Sequence, residues 1–395
     1  MLNVPLVNIQ INLLYDLIVF GYKKMGLPLL QKCYWPGGKE FAACLTHDVD
    51  LIRKWTPSRI KYQFLKIISL FLNYEFKHSI KELIIMLNSI TKNKDPYWNF
   101  IEIMELESKY GFNSSFYFLA NTRNKFSLKQ LNSSYDIREK RLNNLLKLIL
   151  KRGWEVGLHS SYESYNISGK VLSEKKLIEK SLDSYVCGVR QHYLRFEVPM
   201  TWRIQEGAGL IYDTTLGYAA HCGFRAGICH PFKPYDVQEE RQMNIFEIPL
   251  NVMDTTLFSY KGYSLDESSE VIKKLIDTAK NYNGIITILW HNTSFDKSEY
   301  PDGKNIYNKC LAYLKMQDAY VGSCKEIISW WIKRNSLKFA EVKRTANETV
   351  WTIYAEKSIK DICFKLIVLL SSEKFQTENG NAGFLTRGFS SLHSK

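Results

Sequence analysis

Phe41-Ala42-Ala43-Cys44-Leu45-Thr46-His47-Asp48-Val49-Asp50 is the stretch that decides the fold. Phe41 to Leu45 are apolar without a break, and the run stops at polar residues. A short run of this kind reads as a strand buried on both faces, over Phe41–Asp48. Six further segments share the pattern between turn or helix signals: Asn113–Ala120, Trp154–His159, Val186–Leu194, Leu210–Leu216, Ile245–Val252 and Gly284–His291. Helix-like stretches fill most of the intervals, among them Tyr97–Tyr110, Ile137–Arg152, Ser173–Tyr185 and Leu265–Tyr282. Buried strands alternating with helices imply a parallel sheet covered on its faces. Seven such units predict an α/β fold, a deformed seven-stranded parallel β/α barrel; an open doubly wound sheet is the alternative.

The flanks divide accordingly. Residues 1–40 form an N-terminal segment packed on the body, 41–335 the barrel, 336–371 a small β appendage and 372–395 a loose tail. Pro57–Ile90 is longer than one crossover needs and predicts an extra helical layer. Asn305–Arg334 reads as helical, and Val342–Arg344, Val350–Ala355 and Cys363–Leu370 as strands of the appendage.

Polar residues of chemical interest fall at the strand ends. With a period of two, Asp48 and Asp50 share a side if the first strand continues. Two carboxylates aimed together resist joint ionisation unless a cation lies between them. His159 ends the third strand and is followed by Ser160 and, four residues on, Glu163. Arg190 and His192 share a face of the fourth, and a cation pointing inward there needs an anion such as the Asp pair. The seventh ends Leu289-Trp290-His291, and Asp254 closes the sixth. Chemistry gathered at strand C-termini is where barrel enzymes place it.

The order and spacing of these segments, from about Phe41 to Arg334, resemble the polysaccharide deacetylase (NodB-homology) family, which removes N-acetyl groups from sugars. Thr46-His47-Asp48-Val49-Asp50 is similar to its first motif, in the form His-Asp-Val-Asp that marks one subgroup. His159-Ser160 is similar to its second, with Glu163 where a further His is usual. Arg190-Gln191-His192-Tyr193 resembles the Arg-x-Pro-aromatic motif with His in place of Pro, and Leu289-Trp290-His291 the Leu-x-His motif. The resemblance implies a divalent metal, zinc foremost, held by Asp50 and His159; for the third ligand, the strand face that His192 shares with Arg190 favours it over Glu163. The resemblance also implies Asp48 as general base oriented by Arg190, and His291 as general acid supported by Asp254. Tyr193, Arg225, His230, Leu289 and Trp290 would contact an N-acetylated saccharide substrate. A catalytically inactive carbohydrate-binding barrel is the alternative function.

Composition bounds the rest. The net charge of +13 comes from scattered lysines such as Lys77, Lys81, Lys92 and Lys94, without a long basic block or a nucleic-acid motif, so nucleic acid is not an expected partner. The apolar run Ile9–Phe20 is broken by Gln10, Asn12, Tyr15 and Asp16 and reads as amphipathic rather than membrane-spanning. Eight cysteines without a Cys-x-x-Cys pair, and no export signal, lead to the expectation of reduced thiols and a cytoplasmic site of action on a lipid- or nucleotide-linked precursor, the inner membrane face being one such location.

Overall fold

The quoted strand lies within the main sheet: β1 (Ala42–Val49) is buried along its whole length. A computed structural model of the protein describes residues 2–91, 95–120, 135–344, 349–354, 361–368 and 383–384. The other strands of the sheet are β2 (Ser115–Leu119), β3 (Glu155–Ser160), β4 (Gly188–Gln191), β5 (Tyr212–Asp213), β6 (Phe246–Glu247), β7 (Val252–Met253), β8 (Ile285–Leu289) and β9 (Tyr320–Gly322). Their order is β7-β8-β1-β2-β3-β4-β5-β6, with β9 also beside β1. Every pairing is parallel. β9 pairs with Ala42–Cys44 and β2 with Thr46–Val49, so the two share one side of β1 in succession. The architecture is α/β, with parallel strands curled into a deformed half-barrel and small antiparallel sheets added.

Two strand readings need correction. Ile245–Val252, read as one strand, is two short ladders on opposite edges of the sheet. Between them the chain crosses the gap: the Ile248 amide donates to the Asp213 carbonyl at 2.9 Å and the Asn251 amide to the Thr287 carbonyl at 3.1 Å. β9 lies inside the stretch read as continuous helix, which is instead two helices, Gly303–Met316 and Cys324–Ser336. The second begins with a reciprocal Ser323–Glu326 capping box, which satisfies amides at the helix start.

Alternation along β1 divides the core. Ala43, Leu45 and Val49 face the covering helices, packing with Phe100, Ile103 and Leu146. Ala42 and Cys44 face the barrel interior, with Trp35, Tyr117, Tyr212 and Ile285. Ile327, Ile328 and Trp331 of the last helix plug that interior from the N-terminal end of the strands. Close packing there depends on Gly188, where an added Cβ would stand 1.9 Å from the Tyr212 ring. The inward face therefore runs from Ala42 and Cys44 to Thr46 and Asp48: apolar at the plugged end, polar at the other.

The chain ends belong together. Helix α1 (Leu6–Lys24) leads into strand Leu29–Lys32, which pairs antiparallel with Cys363–Val368. Strands Lys338–Arg344 and Thr349–Tyr354 form a separate hairpin, so the segment read as one small appendage contributes to two sheets. Of the stretch read as a tail, all but Gly383–Phe384 lies outside the described residues. Helices α2 (Pro57–Leu72) and α3 (Phe76–Thr91) form the extra helical layer between β1 and β2.

Candidate metal centre

Parallel strands end on one edge, and that edge gathers the polar residues. Asp50 lies just past β1, His159 within β3 and His192 just past β4. One ligating atom from each lies within 4.8 Å of the others. Oδ1 of Asp50 is 3.2 Å from Nε2 of His159 and 3.4 Å from Nε2 of His192. Nδ1 of His159 is bonded to the Arg190 carbonyl at 2.9 Å. A carbonyl can only accept, so Nδ1 carries a proton, and Nε2 is the atom that faces the cluster.

The donor set fits a divalent cation. A carboxylate and two imidazoles are a zinc-type set, and three protein ligands leave one coordination position open. Oδ1 of Asp50 is buried without a hydrogen bond, a costly state for a carboxylate oxygen that a cation would relieve. Burial alone would raise the Asp50 pKa, but the adjoining His159 ring, with His192 and His291, outweighs it and holds the carboxyl well below its usual range. Burial pushes His192 down to about 4, against the pull of Asp50, which leaves a neutral imidazole. Burial also opposes charge on His159, yet Asp48 and Asp50 raise its pKa overall.

Asp48 and Arg190 form the floor. The Arg190 side chain is fully buried, with Nε 3.8 Å from Oδ1 of Asp48. Its Nη2 donates to the hydroxyls of Thr46 and Thr214, both at 3.1 Å, and its guanidinium lies 5.3 Å from the Tyr117 ring centroid. Oδ2 of Asp48 is 3.8 Å from Nε2 of His159, so this acid lies beside the cluster.

His291, just past β8, faces the cluster from the other side, Nε2 at 3.8 Å from Oδ2 of Asp50. Its Nδ1 is 2.7 Å from Oδ1 of the fully buried Asp254. Asp254 is itself fixed by the His291 amide at 2.6 Å and the Ser294 hydroxyl at 2.5 Å. Burial would discharge the imidazole; Asp254, with Asp50 and Asp48, reverses this and pushes its pKa up to about 10.

No protein-family model matches the chain, and no curated protein does. Solved structures similar to it include a candidate polysaccharide deacetylase from Mycobacterium smegmatis (16% identity, 75% of this chain and 91% of that one, TM-score 0.49). A family 4 acetyl xylan esterase from Clostridium thermocellum, with a cobalt ion, is 12% identical over 73% of this chain and 91% of its own (TM-score 0.36). A CE4-family pseudoenzyme from Bacillus anthracis is 14% identical over 74% and 66% (TM-score 0.36).

The remaining residues singled out from the sequence are dispersed. Glu163 is outside the cluster, its carboxylate accepting from Lys170 at 3.2 Å. Tyr193 is 61% exposed, with its ring 4.5 Å from that of His192. The fourth strand stops at Gln191, and Tyr193 turns the chain at φ 58°, so His192 reaches the cluster from a turn and not from the expected strand face. Leu289 joins Leu250 and Met253 in a small apolar group, with Leu194 and Ala219 against it. Trp290 points the opposite way, into the outer core, 5.5 Å from the rings of Phe258 and Tyr307; neighbours on a strand face opposite sides, so its place is packing and not the substrate pocket. Exposed Arg225 donates to the Gly217 carbonyl at 2.8 Å. His230 lies at the plugged end, bonded to Asn8 and to the carbonyl of Asn283 just before β8, both at 3.0 Å, and stacked on Trp331. It is at the wrong end of β8 to meet a substrate at the cluster.

Supporting residues surround the cluster, and apart from Thr46, which stands in the first motif, they carry no sequence signal of their own. Thr46 and Thr214 hold Arg190. Buried Glu174 holds the turn after His159, accepting from the Ser160 hydroxyl at 2.7 Å and the Ser161 amide at 3.0 Å.

Proposed function

We propose that the protein is a metal-dependent hydrolase that removes an N-acetyl group from a sugar of a polysaccharide or its precursor. The observation that carries this reading is the cluster of Asp50, His159 and His192 between a buried acid–Arg pair and a buried acid–His pair. Asp50, His159 and His192 would hold the ion. When bound, a divalent cation polarises a carbonyl oxygen and makes water a better nucleophile at neutral pH.

The chain's own residues divide the proton traffic. Asp48, beside the cluster, takes the proton from the attacking water, with the Arg190 guanidinium 3.8 Å away as its counter-charge. His291, with its Nδ1 proton committed to Asp254, presents Nε2–H to the leaving nitrogen. Leu250, Met253 and Leu289 form a small apolar group beside the strand ends against which the acetyl methyl would rest. Tyr193 offers an exposed ring to the apolar face of a sugar. N-acetylated oligosaccharides incubated with purified protein should release acetate. Sugar binding without acetate from any of them would leave a carbohydrate-binding barrel instead.

A further inference from the structure

Helices α2 and α3 have two apolar faces, and only one of them is used. Between the helices, Ile67 and Met86 are buried, the Ser79 hydroxyl donates to the Ile67 carbonyl at 3.1 Å and Lys66 pairs with Glu82 at 2.9 Å. On the outer side of α2, Phe64, Leu65, Ile68, Phe71 and Leu72 are 40% to 69% exposed. Their spacing of i, i+1, i+4, i+7 and i+8 is one stripe of a helix. On α3, Phe76, Ile80 and Ile84 are 44% to 57% exposed in a second stripe. Phe71 and Phe76 join the stripes at the tip, their ring centroids 5.1 Å apart. Soluble monomers rarely expose an apolar face of this extent unless something covers it.

The charge pattern says what covers it. Segment 57–91 carries five basic residues, Arg59, Lys61, Lys66, Lys77 and Lys81, against two acids, Glu75 and Glu82, in a chain of net charge +13. Apolar stripes with basic flanks suit an anionic bilayer surface. A second copy of the hairpin would set like charges against each other. No helix among the described residues is long and apolar enough to cross a membrane, so the contact would lie in the plane of the interface.

We infer that the α2–α3 hairpin docks on an anionic membrane surface, its stripes seated at the acyl–headgroup boundary and its lysines among the headgroups. The hairpin leaves the barrel at the rim of the cluster. At its base Lys54 is ion-paired with Asp296 and Glu299, and the Asn292 side chain, next to His291, binds the Leu51 carbonyl at 2.8 Å. Docking would bring the mouth of the site to headgroup level. Taken with the deacetylase reading, on which this one step rests, it names a saccharide carried on a lipid as the substrate class.

The test is sedimentation of the full chain with phosphatidylcholine vesicles, with and without phosphatidylserine. Wild type should bind the anionic vesicles, and salt should weaken it. The triple variant Leu65→Ser, Ile68→Ser, Phe71→Ser should lower partitioning about a hundredfold, from the loss of three half-inserted side chains. Lys61→Glu with Lys77→Glu should lower it about tenfold or more. Leu13→Ser with Leu17→Ser, on the exposed face of α1, should leave it unchanged. Wild type remaining in the supernatant would overturn the inference. So would binding lost only in the α1 variant, or a wild-type dimer in solution that the triple variant abolishes. Vesicle binding is read without substrate, so the docking and deacetylase readings fail separately.

Discussion

Truncating His192 to Ala removes one of three candidate ligands and little else. Its Nδ1 makes no hydrogen bond, and its ring packs against those of His159 and Tyr193 at 4.9 Å and 4.5 Å. The fold should survive. Four-ligand structural zinc sites are worth about 10–16 kcal/mol, roughly 3 kcal/mol per ligand. With no hydrogen bond at Nδ1 to reinforce it, His192 should contribute no more than that share, so zinc affinity should fall about a hundredfold. Glu163→Ala, whose carboxylate is engaged by Lys170, should change affinity less than about twofold. Zinc titration against a chromophoric chelator reads both variants. Tight binding in His192→Ala, with loss in Glu163→Ala, would refute the assignment.

Asp48→Asn should reduce acetate release by about 10²–10⁴-fold while zinc stays bound; loss of zinc with activity would make Asp48 a ligand. Zinc binding near neutral pH should release a proton from His159, whose pKa is raised by Asp48 and Asp50 over the effect of burial. Affinity should therefore fall as the pH drops through that raised value, and calorimetry in buffers of different ionisation enthalpy counts the proton; a pH-independent affinity would argue against the Nε2 ligand. His291 goes from an ordinary 6.5 to about 10 in the fold, so the stability it contributes is complete below the first value and lost as pH rises to the second. Metal-free wild type should lose melting temperature across that window and Asp254→Asn should lose much less; equal slopes would remove Asp254 as the cause.

What the sequence made legible was whatever local pattern alone decides. β1, β2, β3 and β8 are short, mainly apolar stretches with polar residues at or just past their ends, and they stand within a few residues of the readings. β5, β6 and β7 are two-residue ladders, set by where the chain turns between sheet edges, and periodicity cannot see that. β9 was hidden in a helical reading although Ser323-x-x-Glu326, a helix-start signature, marked a new helix after it. Leu29–Lys32 found its partner more than three hundred residues away, beyond any local signal. At the site, the meeting of Asp50 and His159 was readable because each stands at or just past the end of a strand. Trp290 was misread because its motif position was weighed over strand alternation, and His230 because a loop gives no hint of which barrel end it closes.

The central claim, one ion held by Asp50, His159 and His192 and used for amide hydrolysis, meets its most direct test in a reconstitution. Zinc is added stepwise to chelator-treated protein, and acetate released from an N-acetylated oligosaccharide is followed. The rate should rise linearly to one ion per chain and then level off, and His159→Ala should stay at background throughout. Full activity in the chelated protein, or one ion bound per chain with no acetate from any N-acetylated saccharide, would contradict the account.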